Sequence, residues 1–398
     1  MRRKKFFIII ILSLTIFCFG LGISETISGS TSLIEIQETL TKEIDETLDN
    51  INFDDLQKII NNFTDNQKKM FSLSNIKTKV KQVINGESSI DYSSLLGAVV
   101  SIIFSIIADY LPMFAIIISV GIISSILGSI KSKFNEKSVG DIIHFVCFCV
   151  SVIIVVTIIQ GLVENTTQSI TNMTNQMNAI FPILLTIMTA VGSASTVGVF
   201  QPTLAMFSSF SSLIFTSIII PIFMLSFCFG IVGNLSNNVK LDKFNSFLNS
   251  LFKWLVGILF TILFTLISIQ GISAGSFDSV SIRTMKFTMS SYIPVLGGYL
   301  SQGMDLIMAS SVLIKNAVGF VGILALISSI LAPILEIVVV SLLFKITSAI
   351  LQPLNNDRIT NFLHSTSKAI IMLSTCLIVV AFMYFLLIGL SMATANVL

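Results

Sequence analysis

Charge is what the long C-terminal part of this chain lacks. Between Tyr92 and Leu398 only 21 of 307 residues are Asp, Glu, Lys or Arg. A water-facing surface of that extent needs far more charge to coat it, so a soluble multidomain protein is excluded. No dense basic stripe is present either, so nucleic acid is not an expected partner. Cysteine is equally uninformative as a framework. Cys18 lies in the N-terminal apolar stretch, and Cys147, Cys149, Cys228 and Cys376 lie in apolar spans, so no disulfide scaffold is implied. Cys147 and Cys149, two apart on a helix, point to different faces and make a poor metal pair. His144 and His364 are isolated and read as structural. A phosphate-binding loop and an H-E-x-x-H motif are missing, and no serine elbow is expected. No catalytic residue, cofactor or metal is expected, and an enzyme is not.

What the chain has is apolar length, with 54 % hydrophobic residues and a mean hydropathy of +0.93. The remaining charge is concentrated in the first 91 residues. Arg2, Arg3, Lys4 and Lys5 precede the apolar run Phe6–Phe19 and then Gly20, Gly22 and Ser24, which reads as a secretory signal over residues 1–24. Because an A-x-A cleavage pattern is missing, an uncleaved first anchor is the alternative. Residues 25–91 carry 12 acidic and 7 basic side chains among apolar residues at helical spacing. Leu33, Ile36, Leu40, Ile44 and Leu48 form one stripe; Leu56, Ile59, Ile60 and Phe63 a second; Ile76, Val80, Val83 and Ile84 a third. Two or three amphipathic helices are expected, packed on each other, on the membrane domain or on a partner.

Residues 92–398 read as a multispan transmembrane domain. A crossing takes about 20 apolar residues, and six stretches qualify: 113–130, 142–163, 204–233, 254–275, 316–335 and 369–391. Three other apolar pieces, 95–110, 180–200 and 287–312, hold residues awkward in lipid and are expected to be broken, re-entrant or interfacial. Basic residues set the orientation. Lys131, Lys133 and Lys137; Lys240, Lys243 and Lys253; and Lys345, Arg358 and Lys368 form three clusters expected in the cytoplasm. That places residues 25–91 outside, together with Arg283, Lys286 and Lys315. Pro182 and Pro221 are separated like Pro294 and Pro333. The stretch from Asp242 to Lys253 also lines up with that from Asp357 to Lys368. An internal repeat, 180–275 and 292–391, is one reading and chance matching the other. Both aligned stretches are expected as short helices on the inner membrane surface, the first anchored by Trp254.

Ionisable groups in apolar sequence are candidates for a transport pathway because desolvation penalises them unless they are paired or hydrated. Glu336 and Lys315 bracket an apolar stretch and mark either a pathway or the ends of one span. Asp305 fits an aqueous cavity, and Asp109 fits a turn. Pro294 with Gly297 and Gly298 suits a broken helix beside a cavity, or close packing of small residues.

The region from about Lys253 onward resembles the stage III sporulation protein AE family of endospore-forming bacteria. The likeness rests on Ser268-Ile-Gln270-Gly271, Arg283-Thr-Met-Lys286-Phe287, Ile293-Pro294 with Gly297-Gly298, Leu313-Ile-Lys315-Asn316-Ala317-Val318-Gly319, Leu331-Ala-Pro333, and Pro353 with Asp357-Arg358. Phe200-Gln-Pro202 and the exported N-terminal segment are similar too. The resemblance implies an integral membrane component of the secretion-like channel between mother cell and forespore. The protein would sit in the mother-cell membrane around the forespore. Besides membrane lipid, its implied partners are the other stage III A sporulation proteins and stage II sporulation protein Q. A different reading of the same residues is an independent secondary transporter or exporter of a small molecule. The expectation is therefore an all-α, polytopic membrane protein preceded by a small extracytoplasmic helical segment.

Overall fold

A computed structural model describes residues 31–87, 91–131, 137–235, 241–292, 297–354 and 357–394. The expected signal segment lies outside the described residues. Among those described there is no strand. Four short helices come first: α1 (Thr31–Asn50), α2 (Asp54–Asn61), α3 (Asp65–Phe71) and α4 (Ile76–Ile84). The long elements are α5 (Tyr92–Lys131), α6 (Lys137–Ala190), α7 (Ala194–Ile214), α8 (Ile220–Leu235), α9 (Asp242–Tyr292), α10 (Gly297–Leu351) and α11 (Asp357–Ala393).

The short helices follow their apolar stripes. Ile44, Leu48, Leu56, Ile60, Ile76 and Val80 are all buried. Helix α3 has no strong stripe, but its start is encoded locally. Thr64 accepts from the Gln67 backbone N–H, and the Gln67 side chain accepts from the Thr64 N–H at 2.9 Å, a reciprocal capping box. Gln57 then ties α2 to the start of α4, donating to the Ser74 carbonyl and accepting from the Ile76 N–H, each at 3.0 Å. Ion pairs Lys77–Asp49 and Lys81–Asp45 join α4 to α1.

This set packs on the long helices, resting on α10, α5 and α6. Ser328, midway along α10, donates to the Gln67 carbonyl at 2.5 Å. Within 316–335 no large apolar side chain is exposed, whereas Val338, Leu342, Ile346 and Ile350 are 47–54 % exposed. The lipid-suited face of α10 therefore begins at Val338, just past the stretch that hydropathy alone selects. Apolar residues in 316–335 are covered by protein, which hydropathy cannot distinguish from lipid.

Lys79 on α4 is buried, and burial holds its ammonium below the usual lysine range. A lowered lysine value means that the folded state binds its proton less tightly than the unfolded state. Stability should therefore rise as pH climbs toward the ordinary lysine range. Lys79→Met should stabilise the folded protein at pH 7, by on the order of 1 kcal/mol. It should also flatten the rise in stability with pH below the ordinary lysine range, read by thermal unfolding in detergent.

Six helical segments are long and apolar enough to cross a membrane: Tyr92–Leu127, Ile142–Ala190, Ala194–Asn234, Lys243–Ser268, Gly303–Leu354 and Asp357–Ala393. That matches the expected number of crossings. Their lengths do not match, since the Gly303–Leu354 segment has 52 residues, roughly 78 Å at 1.5 Å per residue. Only part of such a helix fits a hydrocarbon core of about 30 Å.

The three awkward pieces resolve differently. Residues 95–110 form unbroken helix in α5, so Asp109 is an exposed helical residue and not a turn. Within 180–200 the chain does break, between α6 and α7, where Gly192 has φ +86°. That left-handed backbone favours glycine, and an added Cβ would meet Ile282 at 3.1 Å. Gly192→Val should cost roughly 2 kcal/mol from backbone strain and crowding together, checked by unfolding of the purified protein. Within 287–312, α9 ends at Tyr292 and α10 starts at Gly297.

The aligned stretches from Asp242 and from Asp357 are not separate surface helices. Helices α9 and α11 run through Lys253 and Lys368 without interruption. A helix turning from the membrane plane into a span needs a break, and neither lysine supplies one. Ile359, Phe362 and Leu363 are buried against protein, while Phe244, Phe247 and Trp254 are exposed. A π-helical turn, Phe215–Ile219, precedes Pro221, whereas α10 passes Pro333 as regular helix.

Candidate functional site

The helix directions follow from specific contacts. Asn165 of α6 meets Glu336 of α10, and Ile180 lies closest to Gly322, so α6 and α10 are antiparallel and in register. Tyr110 meets Glu336 and Phe114 packs edge-on against Phe344, so α5 and α10 are parallel. At one end Ser125 donates to the Leu354 carbonyl at 2.7 Å, and Phe148 and Phe227 pack on Phe362. Phe229 meets Phe244 there as well. All three basic turns therefore lie at the same end of the bundle. At the opposite end Val191, Ile282 and Met308 cluster together.

Glu336 sits where α5, α6 and α10 meet. The Tyr110 hydroxyl donates to its Oε1 at 2.6 Å, and the Asn165 amide donates to Oε1 and Oε2 at 3.0 and 3.1 Å. Two neutral donors thus hold a carboxylate among apolar helices, one donor from each neighbour. Sequence reasoning named Glu336 but not Tyr110 or Asn165, which lie 226 and 171 residues away. No local pattern encodes that pairing.

The other expected pathway residues do not join it. Asp305 forms an ion pair with Lys286, tying α10 to α9 across their connection. Lys315 is fully buried, and its ammonium is held by the Thr394 carbonyl at the end of α11. A cation there complements the negative C-terminal end of the helix. From Asp305 to Glu336 is roughly 46 Å along α10, so these groups form no single site. Gly297 and Gly298 open α10, while Pro294 is outside the described residues. Asp242 and Asp357 begin α9 and α11, and Lys253 and Lys368 are exposed on them.

A second junction, this one buried, was not foreseen. The Tyr384 hydroxyl of α11 lies 2.9 Å from Thr174 Oγ1 of α6 and 3.2 Å from the Ser208 carbonyl of α7. The His144 ring lies 2.8 Å from Ser124 Oγ, joining α6 to α5 in a structural role. Contrary to the expectation of no serine elbow, Gly271-Ile-Ser273-Ala-Gly275 has the spacing of one. It lies inside continuous helix in α9 and not on a strand-to-helix turn, so it lacks the backbone that exposes such a serine. No group of three metal-binding side chains occurs among the described residues.

Parallel and antiparallel apolar helices, tied by sparse polar junctions, define a multispan helical membrane protein. The family model described as stage III sporulation protein AE matches residues 74–395, from the start of α4 to the end of α11. The chain belongs to that family. It is 27 % identical over 320 residues to the stage III sporulation protein AE of Bacillus subtilis (strain 168), covering 80 % of each chain. No solved structure matches.

Proposed function

We propose that this chain is a membrane subunit of the channel-like complex joining mother cell and forespore during spore formation. The family match over all the long helices carries that reading. In it the basic turns face the mother-cell cytoplasm, and α1–α4 face the space between the two membranes. The internal partners of two outward cations support this orientation. Lys286 is paired with Asp305, and Lys315 is spent on the end of α11, so neither acts as a free topological signal. The other stage III A proteins and stage II sporulation protein Q are the proposed partners, reached through the exposed surface of α1–α4. The chain supplies a wall or scaffold of the pathway and no chemistry of its own.

The test is isolation of the tagged full-length chain in mild detergent from sporulating cells. Recovery together with the other stage III A proteins is expected, with no solute flux from the chain alone in proteoliposomes. Recovery alone, with flux on its own, would overturn the reading in favour of an independent transporter.

A further inference from the structure

We infer that the cavity between α3 and the start of α5 holds the phosphate headgroup of an anionic phospholipid. Its volume is about 530 Å³. Lys68, Lys69 and Ser72 line one side, and Ser94, Gly97 and Ser101 of α5 line the other. No acidic side chain among the described residues lines it. The Lys68 ammonium donates to the Asn61 carbonyl at 2.7 Å, which fixes its position and leaves two of its three donors for a ligand. Lys69 is exposed, and neither lysine forms an ion pair among the described residues. One cation complements the C-terminal end of α3; a second beside the same cavity leaves positive charge for an anion to neutralise. Ser72 has φ 53°, the only positive value among the described non-glycine residues. Glycine is favoured at such a helix end. Serine there keeps a hydroxyl at the cavity that glycine would not supply.

The α5 wall selects the kind of phosphate compound. Gly97, Phe104 and Leu111 are spaced by seven residues, so they lie one above another on the helix. Leu96, Val100, Phe104 and Leu111 are 49–68 % exposed, and together they make one apolar face about 22 Å long. The Tyr110–Glu336 contact sets Leu111 level with the start of the lipid-suited face that Val338 opens on α10. A ligand seated in the cavity therefore has ammonium and hydroxyl groups at one end. At the other it has an apolar face leading to the hydrocarbon. A soluble phosphate would use the first and leave the second bare, whereas a phospholipid uses both. A Cβ added at Gly97 meets nothing within 4 Å, so that part of the wall borders open space. Lipid bound here touches α3 and α5 at once and clamps the N-terminal helices to the surface of the bilayer. The inference needs the membrane class of the protein and not the channel reading.

The test uses the full-length chain purified in mild detergent, mixed with phosphatidylglycerol or phosphatidylcholine and read by native mass spectrometry. Phosphatidylglycerol should be retained roughly tenfold more strongly than phosphatidylcholine. Lys68→Gln with Lys69→Gln should remove that preference. Gly97→Leu should exclude the same lipid by filling the cavity while every charge is kept. Without lipid, Gly97→Leu should unfold at the temperature of the natural chain, which separates loss of the site from loss of the fold. Equal retention of the two lipids, or a preference that survives both variants, would overturn the inference. Displacement of phosphatidylglycerol by millimolar inorganic phosphate would overturn it too, since a free anion would then be the ligand. A photoreactive group at Ser101 should capture lipid in native membranes, and capture of protein in its place would count against a lipid site.

Discussion

Lys315→Glu is expected to leave little folded protein. The native ammonium is fully buried and meets the carbonyl of Thr394, where α11 presents the negative end of its dipole. A carboxylate there would face a carbonyl and a like partial charge, with no water to screen either. Breaking a buried charged contact costs about 3–5 kcal/mol, a large share of the stability of most folded proteins. Lys315→Met, which removes the charge and keeps the volume, should cost less, on the order of 1–2 kcal/mol. The order Glu worse than Met, read by thermal unfolding in detergent, separates electrostatics from packing. Equal effects would show that Lys315 acts through its methylene chain alone.

Glu336→Leu should have the next largest effect. The substitution removes the acceptor for the Tyr110 hydroxyl and the Asn165 amide, leaving two donors from two helices without their partner. Asn165 is exposed and can turn to solvent, so the cost falls mainly on the part-buried Tyr110 hydroxyl, roughly 1–3 kcal/mol. Glu336→Gln retains an acceptor oxygen and should cost about 1 kcal/mol. A triple change of Glu336→Leu, Tyr110→Phe and Asn165→Leu should recover much of the loss, because no donor is then stranded. If the triple change is as unstable as Glu336→Leu alone, the junction does not act through its hydrogen bonds.

The class of fold was legible because hydropathy over 300 residues has one physical cause, avoidance of water. The apolar stripes Ile44–Leu48, Leu56–Ile60 and Ile76–Val80 likewise gave α1, α2 and α4 directly. Helix α3 was missed although Thr64 and Gln67 spell its capping box. Hydropathy misplaced the lipid-facing part of α10 because protein packed on Ser328 and lipid beside Val338 make the same demand for apolar side chains. Asp109 and Pro112 suggested a turn from local preference, but neighbouring helices hold α5 straight through both. Glu336 could be singled out as a charge in apolar sequence. Tyr110 and Asn165 could not, since only the tertiary register brings them to it. The exposed polar face of α6 was also hidden in its sequence. The same run of Thr, Asn and Gln supplies buried Thr166 and Thr174 as well as exposed Gln168 and Asn175.

The proposed orientation puts the basic turns of the bundle on one side of a membrane and its first helices on the other. Single cysteines at Ser246 and Asn361, near the basic turns, and at Asn62 and Met285, toward the opposite end, test it in a chain freed of its natural cysteines. With a membrane-impermeant thiol reagent applied from outside intact non-sporulating cells that express the chain in their cell membrane, Asn62→Cys and Met285→Cys should label, and Ser246→Cys and Asn361→Cys should label only after permeabilisation. Labelling of Ser246→Cys or Asn361→Cys in intact cells, or all four positions on one side, would contradict it.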